Sequence, residues 1–179
     1  MNLSVLISVY AKEKPDNLKV SLQSLVEQTQ KADEVVLVED GHIPENLTSV
    51  IEDFRDELNI KSVKLAQNRG LAIALNEGLN HCQHPLVARM DTDDACLPQR
   101  FEKQMAWFQD HPELDVIGCF ATEIDEEGHP GSLRKMPVTH GAILDNLWTC
   151  PLIHPTIMFR RDKILLVGAY DLTLRRRQE

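Results

Sequence analysis

Four short apolar runs, each followed by a segment with helical spacing, constrain this chain more than any other feature. The first is Leu3-Ser4-Val5-Leu6-Ile7-Ser8-Val9-Tyr10, and the second is Val35-Val36-Leu37-Val38 within residues 34–39. The third is the imperfect alternation of Ile60, Ser62, Val63 and Leu65, and the fourth is Leu86-Val87-Ala88-Arg89-Met90. Runs this short, rich in β-branched residues and bounded by turn formers, read as buried strands. Between them Leu18, Leu22, Leu25 and Val26 recur at helical spacing to about Gln28, behind Pro15 and Asp16, which suit a first helical turn. A second helix is expected over residues 45–57. A third carries Leu71, Ala74, Leu75, Gly78, Leu79 and Cys82, where small residues allow close packing. Pro98 opens a fourth, with Phe101, Met105 and Phe108 on one face. Strand–helix alternation implies βαβ crossovers and an α/β fold, with a mostly parallel central sheet and helices on both faces.

The fourth run ends abruptly in Asp91-Thr92-Asp93-Asp94, three carboxylates within four residues. In an open α/β sheet the carboxyl ends of the strands are where ligands bind. Crowded carboxylates repel one another unless something positive lies between them, and Mg²⁺ and Mn²⁺ take such oxygens together with substrate phosphates. Two readings stand side by side: a cation–diphosphate clamp, or a helix cap at Asp94 with Asp91 solvating a turn. Arg89, mid-strand, either neutralises these acids or forms a buried structural pair. The second strand also ends in acids, Glu39-Asp40, before Gly41. An acid such as Asp40 can accept from a base N–H or a ribose hydroxyl, so the strand ends together describe a pocket for a nucleoside diphosphate.

Other chemistries are excluded by what surrounds these runs. The net charge of −9 argues against nucleic acid as a partner, because phosphate binding needs clustered Lys and Arg. Four cysteines without a Cys-x-x-Cys pair form neither a zinc ribbon nor a disulfide framework, which fits a reducing compartment and a cytoplasmic protein. The opening apolar run is too short to span a bilayer and lacks a basic region before it. No Gly-x-Gly-x-x-Gly follows the first strand, and neither a Gly-Lys-Ser/Thr loop nor a Gly-x-Ser-x-Gly elbow is present.

The remainder is less regular. Residues 116–123 read as one more strand, and Asp125-Glu126-Glu127-Gly128 as a turn after it. Thr139 is placed to cap a short helix through Leu147, residues 156–159 form a short strand, and residues 161–167 a helix that stops at Gly168. His81 and His84 read as surface residues, and Trp107 and Trp148 as packing, although Trp148 lies where an acceptor has room to dock. His154 is either a hydrogen-bonded residue at a strand start or a neighbour of the diphosphate or acceptor. Arg175-Arg176-Arg177 read as a solvated end that allows, at most, peripheral contact with anionic lipid. With no linker in view, residues 1–179 are expected to be one domain.

Taken in order, several segments resemble family 2 glycosyltransferases. They are Ser8-Val9-Tyr10, Val38-Glu39-Asp40-Gly41, Asn68-Arg69-Gly70-Leu71 with Ala74-Leu75-Asn76-Glu77-Gly78, and Arg89-Met90-Asp91-Thr92-Asp93-Asp94. Pro98-x-Arg100-Phe101-x-x-Gln104 and His154-Pro155-Thr156 with Arg160 extend the match over nearly the whole chain. The resemblance implies the GT-A fold, a Rossmann-like nucleotide-diphospho-sugar transferase fold. It implies that residues from Val9 through Tyr10 to Glu13 border the base, and that Asp40 contacts the uracil or its ribose. Asn68 and Arg69 would lie near the nucleotide, with Asp91 and Thr92 at the ribose or metal. Asp93, helped by Asp91, would coordinate Mn²⁺ or Mg²⁺ on the diphosphate. The implied reaction moves a sugar, with inversion, from a nucleotide-sugar donor to a glycan or lipid-linked acceptor. A UDP-sugar is the default donor, surface polysaccharide assembly the usual role, and the inner face of the cytoplasmic membrane the place.

The chain departs from the pattern near its end. The family places its catalytic base in a Glu-Asp pair soon after a Gly-x-Tyr/Phe segment, here Gly168-Ala169-Tyr170. Glu179 is then a weak candidate for the first member, the base is expected just beyond it, and the acceptor-side part is expected to be lacking. On that expectation a nucleotide-sugar-binding module without turnover is the alternative function. A phosphotransferase with an Asp nucleophile would need its Asp-x-Asp at the first strand rather than the fourth. A sugar nucleotidyltransferase would need a Gly-rich loop near the start.

Overall fold

The computed structural model describes residues 1–125 and 127–173. The first half alternates without interruption: β1 (Leu3–Val9), α1 (Pro15–Val26), β2 (Glu34–Glu39), α2 (Glu45–Phe54), β3 (Ile60–Lys64), α3 (Leu71–His81), β4 (Leu86–Met90) and α4 (Arg100–Asp110). The second half holds β5 (Val116–Ile117), β6 (Ala121–Ile124), β7 (Pro130–Arg134), α5 (His140–Asp145), β8 (Met158–Arg160) and α6 (Arg161–Leu166). Single 3-10 turns at Leu147–Thr149 and His154–Thr156 lie between α5 and β8. The central sheet runs β3-β2-β1-β4-β8-β5, with β1 to β4 parallel and β8 antiparallel to both its neighbours. This is the mixed, mostly parallel sheet expected of the GT-A class.

Alternating side chains divide the core between the two faces. Val5, Ile7, Val35, Leu37, Ala88 and Met90 pack against Leu22 and Leu25 of α1, Leu47 and Ile51 of α2, and Phe101 and Phe108 of α4. Leu6, Val36, Val38, Val87 and Phe159 face Ala74, Leu75 and Leu79 of α3 on the other side, with α6 beside them. Each fully buried Leu or Phe contributes roughly 1.5–3 kcal/mol through burial. Gly78 shows how tightly α3 sits, because a Cβ there would lie 2.4 Å from Leu6 Cδ1 and 2.6 Å from Val38 Cγ2.

The amino edge of the sheet is closed by a buried polar network absent from the sequence reading. Glu34, fully buried, accepts from the Ser4 hydroxyl at 2.6 Å and the Gln83 N–H at 2.7 Å, and pairs with Lys61 Nζ at 2.5 Å. Lys61 first, then Ser4 and Gln83, outweigh the effect of desolvation and hold this carboxyl below its ordinary range. Glu34 therefore stays charged and fully bonded.

Three expectations are corrected. Residues 116–123 are two strands, not one. The chain leaves β5 at Gly118, and β6 pairs antiparallel with β7 in a separate hairpin. Next, the strand expected over residues 156–159 is β8 at Met158–Arg160, because Thr156 closes a 3-10 turn, and it inserts between β4 and β5. Finally, α4 begins at Arg100 behind Gln99, so Asp94 lies in the preceding loop and caps no helix. Thr139 does cap α5, its hydroxyl accepting from Ala142 N. Between residues 111 and 150 no described residue is buried, and this excursion exposes Phe120, Ile124, Leu133, Val138, Leu144, Leu147 and Trp148. No described helix is long and apolar enough to cross a membrane.

Candidate functional site

Strand order reverses around β1, which has β2 on one side and β4 on the other, and the carboxyl ends of β1 to β4 share one edge. Asp91 to Asp94 leave β4 at this edge, and Ser21 of α1 donates to the Asp91 carbonyl at 2.9 Å. One carboxylate oxygen from each of Asp91, Asp93 and Asp94 lies within 4.8 Å of the others. A single Mg²⁺ or Mn²⁺, about 2.1 Å from each oxygen, spans such a set after small side-chain adjustment. Asp93 and Asp94 are exposed and the Asp91 side chain is 33% exposed, so the cluster is open to solvent. Desolvation first, then Asp91 and Asp93, push the Asp94 carboxyl up to about 6, with Arg89 and Arg100 opposing. Carboxylates that crowd enough to retain a proton fit a divalent cation.

Glu13 belongs to this cluster rather than only to the rim of β1. Its carboxyl is raised by burial first, then by Asp93 and Asp91, while a hydrogen bond from buried Thr92 opposes the shift. The Glu13 N–H closes a turn on the Tyr10 carbonyl at 3.2 Å, and Tyr10 itself is exposed beyond Val9.

On the β2 side, buried Asp40 accepts the Arg69 N–H at 2.7 Å and the Gly70 N–H at 2.9 Å. Asn68 and Arg69 are thus brought to the same edge by a turn hung on Asp40. Gly41, at φ +86°, permits the approach, because a Cβ there would lie 2.5 Å from the Asn68 nitrogen. Each Asp40 oxygen keeps a lone pair beyond these bonds.

Beneath the acids, fully buried Arg89 donates through Nη2 to Asp91 Oδ1, while its Nε and Nη1 are buried without a partner among the described residues. Arg89 is therefore buried and paired with one acid of the cluster. His154 is half-buried, and its Nε2 lies 2.8 Å from the Tyr170 hydroxyl. Burial first, then the Arg89 charge, push its imidazole down to about 4, against Asp91. Tyr170 is fixed in turn by Asn76 of α3, at 2.9 Å in both directions.

The Arg100 and Gln104 segment is a brace. Arg100 Nη2 reaches the carbonyls of Arg89 at 2.9 Å and Ile157 at 3.3 Å, and Gln104 Nε2 reaches the Thr156 carbonyl at 2.9 Å. Together they tie the end of β4 to the His154 turn. Buried Gln28 steadies the start of α4 by accepting the Phe101 N–H at 3.1 Å and donating to Leu97 at 2.9 Å. A second trio, Asp125, Glu127 and His129, also lies within ligand reach, but its groups hydrogen-bond one another across a hairpin turn.

The glycosyl transferase family 2 model matches residues 4–178. The chain belongs to glycosyl transferase family 2. The amylovoran biosynthesis glycosyltransferase AmsE of Erwinia amylovora is 45% identical over 173 residues, covering 94% of this chain and 63% of that protein. The Escherichia coli UDP-Gal:alpha-D-GlcNAc-diphosphoundecaprenol beta-1,3-galactosyltransferase is 35% identical over 168 residues, covering 93% of this chain and 61% of that one. This family 2 chain therefore spans somewhat less than two thirds of the length of these relatives. Among solved structures, Staphylococcus aureus TarS 1-349 in complex with UDP superposes with a TM-score of 0.78 at 23% identity, covering 99% of this chain and 52% of that one. A mannosyltransferase of Pyrobaculum calidifontis, in complex with GDP-Man and Mn²⁺, gives 0.69 at 18% identity, covering 95% of this chain and 47% of that one. These likenesses establish the fold.

Within this family 2 fold the structure gathers Glu13, Asp91, Thr92, Asp93 and Asp94 into one cluster, and Asp40, Asn68 and Arg69 into a neighbouring turn. His154 stands on the far side, beside Arg89. Glu179 and the three arginines before it lie outside the described residues. The sequence reading quoted Asn76 only as part of the resemblance and Gln28 only as a helix end, and gave neither a role, although polar residues on helices otherwise packed into the core were the available signal. It also took Trp148 for packing, whereas the indole is 83% exposed.

Proposed function

We propose that this chain is the donor-binding domain of an inverting, metal-dependent hexosyltransferase that uses a UDP-sugar, with residues 1–179 forming one unit. The observation that carries the proposal is the set of carboxylates at Asp91, Asp93 and Asp94, at the carboxyl end of β4 where the strand order reverses. Asp93, with Asp91, would hold Mn²⁺ or Mg²⁺. The cation supplies positive charge to the nucleoside diphosphate as it leaves. The residues from Val9 to Glu13 border the base, Asp40 receives the uracil or ribose on its spare lone pairs, and Arg69 lies alongside the nucleotide. Thr92 steers the Glu13 carboxyl, and His154, neutral because it is buried, stands on the sugar or acceptor side. Inversion asks for a carboxylate that takes the proton of the acceptor hydroxyl as its oxygen attacks the anomeric carbon. None of the described residues is assigned that part.

The acceptor class is a glycan or lipid-linked sugar, and the role is surface polysaccharide assembly at the inner face of the cytoplasmic membrane. Supporting this are the two relatives above, one named for amylovoran biosynthesis and one for a diphosphoundecaprenol-linked acceptor. Thermal unfolding with UDP, GDP and dTDP, each with and without Mn²⁺, tests the donor site. At a hundred times its dissociation constant a ligand adds about 2.7 kcal/mol of stability. We expect a melting shift with UDP that requires Mn²⁺ and disappears in Asp93→Asn. No shift with UDP, or one indifferent to metal and to Asp93, would overturn the proposal.

A further inference from the structure

We propose that Arg89 is the built-in counter-cation of the Asp91, Asp93 and Asp94 carboxylates, a positioning residue that keeps them together when no divalent cation is bound. The inference rests on the proposed function for the identity of the cation, but its electrostatic content does not.

The way Arg89 spends its hydrogen bonds sets it apart from Arg100, Arg160 and Arg161. Arg100 gives Nε to Gln104, Nη1 to Cys96 and Nη2 to the carbonyls of Arg89 and Ile157. Arg160 gives Nε to the Leu114 carbonyl and Nη2 to those of Phe108 and Pro112. Arg161 gives Nε and Nη2 to the carbonyls of Leu79 and Asn80, at the end of α3. Arg160 and Arg161 bind backbone carbonyls, Arg100 binds both carbonyls and side chains, and the value of all three is structural. Arg89 is the most deeply placed, at 0% exposure, yet among the described residues its side chain makes a single hydrogen bond, to Asp91, and two of its nitrogens are idle.

Burying a guanidinium with unused donors is costly, and an apolar side chain would fill this position between α3 and the sheet more cheaply. What an apolar residue cannot supply is a charge. Arg89 lies one residue before the end of β4, and its Nη2 meets Asp91 Oδ1 at the start of the segment that carries Asp93 and Asp94. Arg89 donates to Asp91 Oδ1, and the Asp91 carboxylate in turn lies within 4.8 Å of those of Asp93 and Asp94. With idle donors at the base of three crowded carboxylates, this arginine serves as charge more than as a hydrogen-bonding clip. The three carboxylates then stay within 4.8 Å of one another without a metal, ready for a cation that arrives with the nucleotide.

A double-mutant cycle in EDTA, read by urea unfolding, tests the inference without nucleotide or turnover. Asp93 is the second site because Arg89 makes no hydrogen bond to it. Arg89→Met should raise the unfolding equilibrium constant roughly tenfold or more, and adding Asp93→Asn should take back at least half of that on a logarithmic scale. Saturating Mn²⁺ should restore Arg89→Met and leave the double variant nearly unchanged. Arg89→Lys, which keeps the charge and loses the planar fork, should behave like wild type in its response to Mn²⁺. Additive effects of the two substitutions, with no recovery on adding Mn²⁺, would overturn the inference. If Arg89→Met does not fold in EDTA, folding of the double variant supports the charge argument, and its failure to fold refutes it. A wild-type chain that binds no UDP with Mn²⁺, alongside a coupled cycle, would remove the donor reading and leave the counter-cation standing.

Discussion

Both polar atoms of the Asn76 carboxamide are committed to the backbone of Tyr170, 94 positions along the chain: Nδ2 donates to the carbonyl, and Oδ1 accepts the N–H, each at 2.9 Å. The pairing satisfies a backbone unit between Ala169, at φ +56°, and the end of the described chain. It also places the Tyr170 hydroxyl against His154. A side chain on α3 thereby fixes the far wall of the acid cluster.

Asn76→Ala should cost about 1–3 kcal/mol, the range for leaving partly buried backbone groups unpaired. Amide exchange at Tyr170 should rise together with that loss, while amides of β1 and β2 hold their protection. Equal loosening everywhere would mean that the pair acts only through global stability.

Gly41→Ala tests the turn hung on Asp40. The substitution places a methyl 2.5 Å from the Asn68 nitrogen and asks alanine to hold φ +86°. Strain of this kind costs about 1–3 kcal/mol before the contact is counted. The denaturant midpoint should fall accordingly. UDP affinity should fall too, because Asn68 and Arg69 move with the turn. Gly70, also at positive φ but with no atom near its Cβ position, should cost less on the same change.

Two shifted groups make opposing demands on pH. Asp94 moves from an ordinary 3.8 to about 6, so between those values the folded chain holds a proton that the unfolded chain has released, and stability falls as pH rises. His154 moves from 6.5 to about 4, so over nearly the same window the unfolded chain takes a proton that the folded chain refuses, and stability rises with pH. Urea unfolding from pH 4 to 7 in EDTA should show the two slopes offsetting each other. Relative to wild type, His154→Asn should tilt the curve downward with rising pH, and Asp94→Asn should tilt it upward. Parallel curves for all three proteins would refute both shifts.

The first half of the fold was legible because each of its strands is an apolar run with a periodic helix behind it. Val35 to Val38 have no other physical use than burial on two faces. The second half hid because its strands bury little: β7 is exposed throughout and starts at a proline, and β8 has three residues. The acids of the site were visible as a local pattern. What holds them was not, because Glu13 with Thr92, Asn76 with Tyr170, and Gln104 with Thr156 are contacts between segments that no window on the sequence contains. The idle nitrogens of Arg89 are likewise a property of packing, not of spacing.

The stretch over residues 118–150 leaves the sheet after β5 and returns before β8, and none of its described residues is buried. It is a cassette. Its outward side chains can be exchanged, or its hairpin lengthened, without repacking either face of the sheet or disturbing the carboxyl edge. Substitutions can therefore rewrite this surface while the residues at the carboxyl edge stay constant. Grafting this segment between family members is the corresponding engineering route.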